Sequence, residues 1–367
     1  MRPLKILFTN NTLNTREGSE LWVRDMAIAL RSRGHDVAAY STLLGPVAAD
    51  LREAGIFVFD DMDIAPWQPD ILHCQHHLEA MTALARFPAT PAIFVCHGAV
   101  PWEEEPPVMH PHIQRWIAVD LPTFMRLVDA GAPQDRITIL YNFIDTERFK
   151  HRTAPLPPRP ERALVFNNQI DKSAFRVIER ACQREGVEAS IAGIASGQPL
   201  ERPEDVLGSY DIVFAKGRSA LESMASGCAV ILIGDRGLGP YVHSSDLERL
   251  RNLNFGMRTL TERHSVDAIR GRIQAYDATD AGHVSDWIRE NASLADAATR
   301  LEHIYEKCLA GWTGPADPDA QARAVARYLA TVSIRVKYHE GIRRERDHLA
   351  ERVKRLAIRR LLLRRSG

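Results

Sequence analysis

Two runs of alternating strand-like and helix-like segments, joined by a proline-rich stretch, are the dominant feature of the sequence. In the first run, an apolar segment at residues 5–8 leads into a polar loop and then into an amphipathic segment that ends at Gly34. Four more strand-like runs follow, HDVAAYST, GIFVFD, DILHCQ and AIFVCHG. Strands that alternate with helices are typical of a parallel sheet covered by helices on both faces, because parallel strands need long crossover connections. The first half of the chain is therefore predicted to be a doubly wound α/β domain.

The proline-rich stretch covers residues 151–162 and carries four prolines in twelve positions. Proline lacks an amide hydrogen and interrupts helices and central strands, so this stretch is predicted to be an interdomain linker. The alternation restarts after it with the apolar runs ALVFNN, ASIAG, DIVFA and AVILIG. The predicted order is one α/β domain over residues 1–150, the linker, a second α/β domain over residues 163–310, and a helical extension over residues 311–367. Two helices are predicted to follow the break TGPADPD in that extension.

Charge is distributed unevenly along the 367 residues. The chain has 47 basic and 47 acidic side chains, so it lacks the positive field expected of a nucleic-acid-binding protein. Residues 335–365, however, contain twelve Arg or Lys and four Asp or Glu, so this tail carries +8 and the remainder carries −8. An acidic body with a basic tail predicts a separate docking surface in the tail.

Sequence signals for other compartments and for metal clusters are weak. The five cysteines include no Cys-x-x-Cys pair, so neither a metal cluster nor a disulfide framework is predicted. The N-terminus lacks the apolar core and cleavage site of a secretory signal, and the sequence has no run of about 20 apolar residues to span a bilayer. A cytoplasmic protein is predicted, and the tail raises the further expectation of a peripheral position on the inner face of the membrane.

The tail allows two interpretations. Ile342, Leu349, Leu356 and Leu363 recur at seven-residue spacing, which is typical of a short coiled-coil seam of about three repeats. The intervening arginines and the segment LAIRRLLLRR are equally typical of a basic amphipathic helix on an anionic membrane surface. Self-association and membrane association through residues 335–365 stay open as alternatives, beside a solvated terminal helix.

Candidate binding residues lie where strands meet helices. In open α/β sheets, ligands bind at the carboxyl ends of the strands, beside helix N-termini, and two such domains predict a cleft. In FAKGRSALESMASGCAVIL, Gly217 allows close backbone approach, Lys216 and Arg218 supply positive charge for a diphosphate, and Glu222 is placed to accept hydrogen bonds from ribose hydroxyls. Lys172 opens another helix after a strand. Each also has an ordinary interpretation, as a turn glycine, a surface cation or a solvated carboxylate.

Taken together, these segments resemble a glycosyltransferase of the GT-B fold, from glycosyltransferase family 4. LKILFTNNTLNTREGSELWVRDMAIALRSRGHDVAAYS resembles that family's first strand, glycine loop and helix, and DILHCQHH and FVCHG resemble its next strands. GRSALESMASGCAVI resembles the donor-nucleotide helix. The family's Asn-Gly-Val-Asp pattern and following Phe are matched at Asn142, Asp145 and Phe149, with Phe143 in place of the glycine. The resemblance covers residues 1 to about 310 and implies two Rossmann-like, doubly wound domains that face a cleft.

The resemblance implies roles for individual residues. Gly18 is expected in the loop that faces the diphosphate and the acceptor, and His97 is expected near the donor sugar. Lys172 is expected on the phosphates and Glu222 on the ribose. The remaining donor-site candidates, on the same turn or at the end of the neighbouring strand, are Lys216, Gly217, Ser219 and Asn168.

Two positions depart from the family pattern. The first of the family's paired glutamates, which usually touches the donor sugar, falls on Phe214. The family's Gly-Arg pair ahead of the phosphate-binding lysine is replaced by Asn167 and Asn168. We hypothesise that Arg218 supplies the missing cation and neutralises the leaving diphosphate, because an arginine fork suits phosphate oxygens. The alternative is that Arg218 pairs with a neighbouring carboxylate.

Other polar clusters suggest no metal site. Asp61 and Asp63 form an Asp-x-Asp in a loop, and the three histidines of DILHCQHH lack a second ligand cluster. One of these histidines is expected to line the cleft. The acidic run at residues 103–105 is interpreted as solvated rather than as an acceptor-binding element.

The resemblance implies a retaining, metal-independent transfer of a sugar from a nucleotide diphosphate sugar to a glycan or lipid-linked acceptor, in bacterial surface polysaccharide or glycoconjugate synthesis. No cofactor is expected, because the nucleotide sugar is itself the donor substrate. Two alternatives remain. Phe214 favours a degenerate protein that binds a nucleotide sugar or a partner without catalysis. A sugar-nucleotide epimerase has a similar two-domain form, but it requires acidic acid–base residues that the sequence does not identify.

Overall fold

The computed structural model describes residues 2–107, 110–235 and 237–363, with side chains as far as residue 354. The chain divides into two compact units, which are Met1–Pro106 with His112–Pro315, and Pro107–Pro111 with Ala316–Gly367. The first unit contains two sheets and their helices, and the second contains one long helix.

The first sheet consists of short parallel strands connected mainly by helices. Its strands are β1 (Lys5–Thr9), β2 (Asp36–Tyr40), β3 (Phe57–Phe59), β4 (Ile71–Gln75), β5 (Ala92–Cys96), β6 (Ile113–Ala118) and β7 (Ile137–Ile139). Its helices are α1 (Gly18–Ser32), α2 (Pro46–Glu53), α3 (His77–Arg86) and α4 (Leu121–Asp129). The strand order is β3-β2-β1-β4-β5-β6-β7, and every pairing between these strands is parallel.

This strand order positions the loops of the first sheet. The chain runs outward in one direction from β1 to β3 and in the other from β4 to β7, so the order reverses between β1 and β4. The central strands β4 and β5 bury all of their residues, because helices cover both faces of the sheet. The loops after β1, β4 and β5 therefore meet at the carboxyl edge beside a topological switch point, where α/β sheets bind ligands.

The second sheet is smaller and has one antiparallel edge. Its strands are β8 (Arg162–Phe166), β9 (Glu188–Ala192), β10 (Ile212–Ala215), β11 (Ala229–Ile233) and β12 (Leu238–Tyr241). Its helices are α5 (Lys172–Arg184), α6 (Gly217–Ala225), α7 (Leu247–Arg251), α8 (Val266–Gln274) and α9 (Ala278–Asn291). The order is β12-β11-β10-β8-β9, and only the β11–β12 pairing among these is antiparallel. A connection as short as residues 234–237 is compatible only with an antiparallel pair.

The last helix of the first unit, α10 (Leu294–Ala310), packs into the core of the first sheet. The buried residues Ala298, Leu301 and Tyr305 of α10 belong to the same apolar cluster as β1 and α1. Nδ1 of His73 on β4 lies 2.6 Å from the Tyr305 hydroxyl. The prediction placed residues up to 310 in the second domain, whereas the apolar face of α10 is buried against the first sheet.

The second unit is dominated by α11 (Pro318–Leu363), a continuous helix of 46 residues. Two helices were predicted after the break TGPADPD, and the structure has one, because the single interior glycine costs a helix only about 1 kcal/mol. Ile342 and Leu349 are exposed on α11. The seam positions Leu356 and Leu363 fall among residues whose side chains are not described, and residues 364 and 365 of the tail lie outside the described residues.

Candidate functional site

The turn between β10 and α6 has the glycine-dependent geometry that its sequence suggests. Gly217 opens α6 with a φ of +56°, in the left-handed region that favours glycine. Its amide donates a 2.8 Å hydrogen bond to the carbonyl of Phe255. Lys216, the N-cap residue, makes no capping hydrogen bond with its side chain, and its Nζ instead donates to Oε1 of Gln169 at 2.6 Å. The N-cap side chain therefore does not occupy the N-terminus of α6, a place where an anion is favoured.

Arg218 lies between two carboxylates. Its Nε donates to Oε1 of Glu222 at 2.8 Å, and its terminal nitrogen donates to Oδ2 of Asp25 on α1. Burial raises the pKa of Glu222, although Arg218 acts in the opposite direction. Pairing with a carboxylate, the alternative given for Arg218 in the sequence analysis, is thus what the structure contains. Its role at a diphosphate stays a prediction.

A cavity of about 340 Å³ lies between the loop after β1 and the N-terminus of α6. It brings together predicted site residues from both sheets, which are Gly18, Asn168, Arg218, Ser219 and Glu222. A Cβ added to Gly18 would meet no protein atom within 4 Å, so the glycine backbone is open to the cavity. Arg148 also lines this cavity, and its guanidinium donates to Glu204 at 2.9 Å.

A second cavity, of about 480 Å³, adjoins the first. It shares Gly18 and Arg218 with the first cavity and adds His76, His97 and Lys216. One histidine of DILHCQHH, His76, thus lines the cleft as expected. The donor-side cations and the histidines of the first sheet therefore face a common space.

His97 is a neutral side chain at the wall of this second cavity. Burial lowers its pKa to about 4, so the imidazole carries no charge at neutral pH. Its Nε2 is buried and has no hydrogen-bond partner among the described residues. The ring packs edge-on against Trp22, with 5.3 Å between the ring centroids. A neutral imidazole of this kind can donate or accept one hydrogen bond without adding charge.

Glu104 lies beneath His97 and does not belong to a solvated run. Its Oε2 accepts a 3.0 Å hydrogen bond from the His97 backbone amide, and its Oε1 lies 3.3 Å from Nε2 of His76. Burial opposes its ionisation, yet the hydrogen bond and charge of His76 lower the pKa of Glu104 to about 2. The expectation that residues 103–105 are all solvated was wrong for Glu104. The loop turns this carboxylate inward, where it contacts the His97 backbone amide and the His76 side chain.

Lys172 is placed differently from the other predicted residues. It is exposed at the first position of α5 and lines neither of the two cavities. The carboxylate of Asp171 already accepts hydrogen bonds from the amides of Ser173 and Ala174 at this helix N-terminus. The predicted contact of Lys172 with the phosphates therefore receives no support from its position and stays a prediction.

Phe214 is fully buried inside β10, in the apolar core of the second sheet. The strand continues to Ala215, one residue beyond it. The position that carries the family's first glutamate therefore presents no side chain to the cavities in this chain.

Two ionic residues of the site were missed by the sequence analysis, Asp25 and Arg148. Asp25 is buried on α1, and Arg148 lies 3.9 Å from it while also lining the first cavity. The local signal for Asp25 was the charged pair Arg24–Asp25 within an otherwise apolar helical segment. Arg148 carries no signal of its own, since a single arginine before the linker is ordinary.

The described residues contain neither a cluster of metal ligands nor a membrane-spanning helix. Within the described residues, no three His, Cys, Asp or Glu side chains are grouped so as to hold a metal ion. Asp61 instead caps a short helical turn by accepting a hydrogen bond from the Asp63 amide. Across the same part of the chain, no helix combines the length and apolarity needed to cross a bilayer.

Comparison with known proteins identifies the fold. Residues 16–148 match the family model of Glycosyltransferase Family 4, and no curated protein matches the chain. A glycosyltransferase from Rickettsia africae has a similar structure, with a TM-score of 0.63 at 14% identity over 85% of this chain and 100% of that one. The chain has the GT-B fold.

Two further solved structures share this GT-B fold. Anabaena HepE in complex with UDP-glucose has a TM-score of 0.60 at 15% identity, over 83% of this chain and 100% of that chain. The sucrose-phosphate synthase of Thermosynechococcus elongatus has a TM-score of 0.55 at 12% identity, over 84% of this chain and 100% of that chain. At these identities the likeness establishes the fold, so the GT-B resemblance and α/β class expected from the sequence are confirmed.

Proposed function

We propose that this chain of GT-B fold is a glycosyltransferase, which takes its sugar from a nucleotide diphosphate sugar bound between the Gly18 loop and the N-terminus of α6. The observation that carries the proposal is the first cavity. There Arg218, Ser219 and Glu222 of an uncapped helix face the open backbone of Gly18. An uncapped helix N-terminus favours phosphate groups, and a buried carboxylate suits a ribose diol. HepE, with the same fold, is known in complex with UDP-glucose.

Within this proposal, the transfer is retaining and metal-independent, and its acceptor is a glycan or lipid-linked sugar in bacterial surface polysaccharide or glycoconjugate synthesis. These finer statements follow from the resemblance to glycosyltransferase family 4. The matched segment, residues 16–148, includes the Gly18 loop and His97. His97 faces the second cavity, beside the donor residues, where a donor sugar and its acceptor would meet.

A panel of UDP-, GDP-, ADP- and TDP-sugars tests the proposal by calorimetric binding followed by a turnover assay. Binding of one donor with release of its nucleoside diphosphate is expected. Glu222→Gln should weaken that binding at least tenfold, since the amide replaces an acceptor by a donor at one oxygen. Glu248→Gln, at an exposed position of α7, is the matched control and should bind as the wild type does. No binding by any of the four donors would overturn the proposal.

One alternative function has a specific observation in its favour. Phe214 is buried in the position of the family's first glutamate, and Arg218 is engaged by two carboxylates. Both facts favour a protein that binds a nucleotide sugar without transferring it. Tight binding of a donor with no turnover, even with glycan acceptors present, would support this alternative.

The tail is proposed as a cytoplasmic anchor that acts separately from the catalytic site. Its described part is helical, with Tyr338, Ile342, Leu349 and Val353 exposed among arginines. A basic helix with exposed apolar residues binds anionic lipid, and the same residues would serve a coiled coil. The full chain should co-sediment with anionic vesicles, whereas a version that ends at Lys337 should stay in the supernatant. Equal sedimentation of both would remove the membrane interpretation, and a concentration-dependent dimer of the full chain alone would support self-association.

A further inference from the structure

The carboxylate of Asp25 lines neither cavity itself, but it lies among three arginines that line the first cavity. Its side chain is 7% exposed, and it accepts hydrogen bonds from Nε of Arg24 at 2.8 Å and from Arg218. A guanidinium nitrogen of Arg148 lies 3.9 Å away. Burial disfavours the charged form of Asp25, but Arg218 and Arg24 lower its pKa below the ordinary value. Asp25 therefore stays ionised although it is enclosed.

The contact between Asp25 and Arg218 joins elements that are far apart in the sequence. Asp25 belongs to α1 of the first sheet, and Arg218 belongs to α6 of the second. The other contact of Arg218, to Glu222 at 2.8 Å, lies within α6 four residues along. The contact with Glu222 alone holds only Nε of the Arg218 guanidinium. Because Asp25 accepts from a terminal nitrogen of the same guanidinium, the planar fork is fixed between two carboxylates.

We propose that Asp25 is a positioning residue of the donor site, which holds Arg218 against Glu222 and so sets the direction of both groups. The inference rests on the proposed function. A flexible arginine loses rotamer freedom when it is ordered, and preorganisation by Asp25 removes that cost before a ligand arrives. Burial raises the pKa of Glu222, and the same Arg218 acts against that rise. Loss of Asp25 therefore weakens both contacts with a nucleoside diphosphate.

The test uses the full chain with UDP, GDP, ADP and TDP as probes, measured by calorimetry. For whichever probe binds the wild type, Asp25→Asn should raise the Kd about tenfold. Asp211→Asn is the matched control, because Asp211 is also 7% exposed and pairs with Arg152 at 3.4 Å, and neither residue lines either cavity. Its Kd should stay within twofold of the wild type.

A double-mutant cycle separates positioning through Arg218 from a general structural effect. In an Arg218→Gln background, Asp25→Asn should change the Kd less than twofold. If Asp25→Asn fails to fold, Arg218→Lys replaces it in the comparison. Lysine keeps the charge but cannot bridge Asp25 and Glu222, so a tenfold rise in Kd is again expected.

Three results decide the outcome. Wild-type affinity in Asp25→Asn, or in Arg218→Lys when that variant is used, overturns the inference. Additive losses in the double-mutant cycle also overturn it, because Asp25 would then act without Arg218. Failure of the wild type to bind any of the four probes overturns the proposed function instead, and this distinguishes the two failures.

Discussion

Nε2 of His76 lies 3.3 Å from Oε1 of Glu104, and both side chains are buried. Each group shifts the pKa of the other toward the charged form. The hydrogen bond and charge of Glu104 raise the pKa of His76 against the effect of burial, and His76 lowers that of Glu104 to about 2. The loop after β4 and the loop after β5 are thus joined by an ion pair directly behind His97.

Glu104→Gln is expected to lower the free energy of unfolding by about 3 kcal/mol near pH 6, because it leaves a buried His76 without its partner. Glu104 stabilises the fold above its unfolded pKa of about 4.3, and this contribution is lost as the pH falls toward about 2. His76 contributes fully below its unfolded pKa of about 6.5, and that contribution is lost as the pH rises through its raised folded pKa. Urea denaturation between pH 3 and 9 should show the largest difference from wild type between about pH 4.3 and 6.5.

The neighbouring Glu103→Gln serves as the control, since Glu103 is exposed in the same loop. Its stability should stay within about 0.5 kcal/mol of the wild type across the same pH range. A loss in Glu104→Gln that does not vary with pH would mean that the pair is not ionised.

His97→Ala is expected to lower kcat/KM for the donor about 10²–10³-fold, as removal of a neutral hydrogen-bonding group at a reaction centre does. Because the pKa of His97 is about 4, the wild-type imidazole is neutral throughout pH 5 to 8. The variant should therefore keep the shape of the wild-type pH–rate profile in that range. Steady-state kinetics with the donor found by the panel would measure both quantities.

The control for this variant is His283→Ala, at an exposed position of α9. It should leave kcat/KM unchanged. If the wild-type pH–rate profile has an acidic or basic limb near pH 6.5 and the profile of His97→Ala lacks it, His97 titrates during turnover, contrary to the expected neutral state.

Gly217→Ala is expected to destabilise the fold by about 1–2 kcal/mol, because φ is +56° and an alanine there is strained. The added Cβ meets no protein atom within 4 Å, so the cost is conformational rather than steric. Gly271→Ala in α8 is the matched control, since its Cβ also meets nothing and its helical backbone suits alanine. Thermal unfolding should show a lower free energy of unfolding for Gly217→Ala and a free energy about 0.5–1 kcal/mol higher for Gly271→Ala. Equal changes in both would contradict the backbone argument.

The fold was largely predictable from periodicity, and its exceptions have local causes. Apolar runs such as AIFVC and AVILI gave buried parallel strands, because a strand covered on both faces carries few polar residues. The edge strand β12 was not predicted, since LGPY is too short and mixed to show a pattern. The position of α10 in the first sheet could not be predicted either, because an amphipathic helix does not specify which core it covers.

The candidate site was predictable only where a motif marks it. Arg218, Ser219 and Glu222 were found from a glycine turn at a helix start and Gly18 from the family resemblance, and the structure gathers all four around one cavity. The partners of those residues lie elsewhere in the sequence. Asp25 reaches Arg218 across 193 positions, and such a pairing depends on how the two sheets face each other rather than on local spacing.

Tyr305→Phe tests how α10 is held to the first sheet. The variant removes the 2.6 Å hydrogen bond to Nδ1 of His73 and leaves a buried ring nitrogen without a partner, at a cost of about 1–3 kcal/mol. Tyr276→Phe is the control. The Tyr276 hydroxyl donates to the Pro157 carbonyl at 2.8 Å from a partly exposed position in the second domain, so this variant should lose less stability than Tyr305→Phe. Urea denaturation measures both, and nucleotide affinity should be unchanged in each, because neither tyrosine lines a cavity of the site. If Tyr305→Phe proves as stable as the wild type, α10 is retained by its apolar face alone, and the hydrogen bond selects the orientation of His73 without adding to stability.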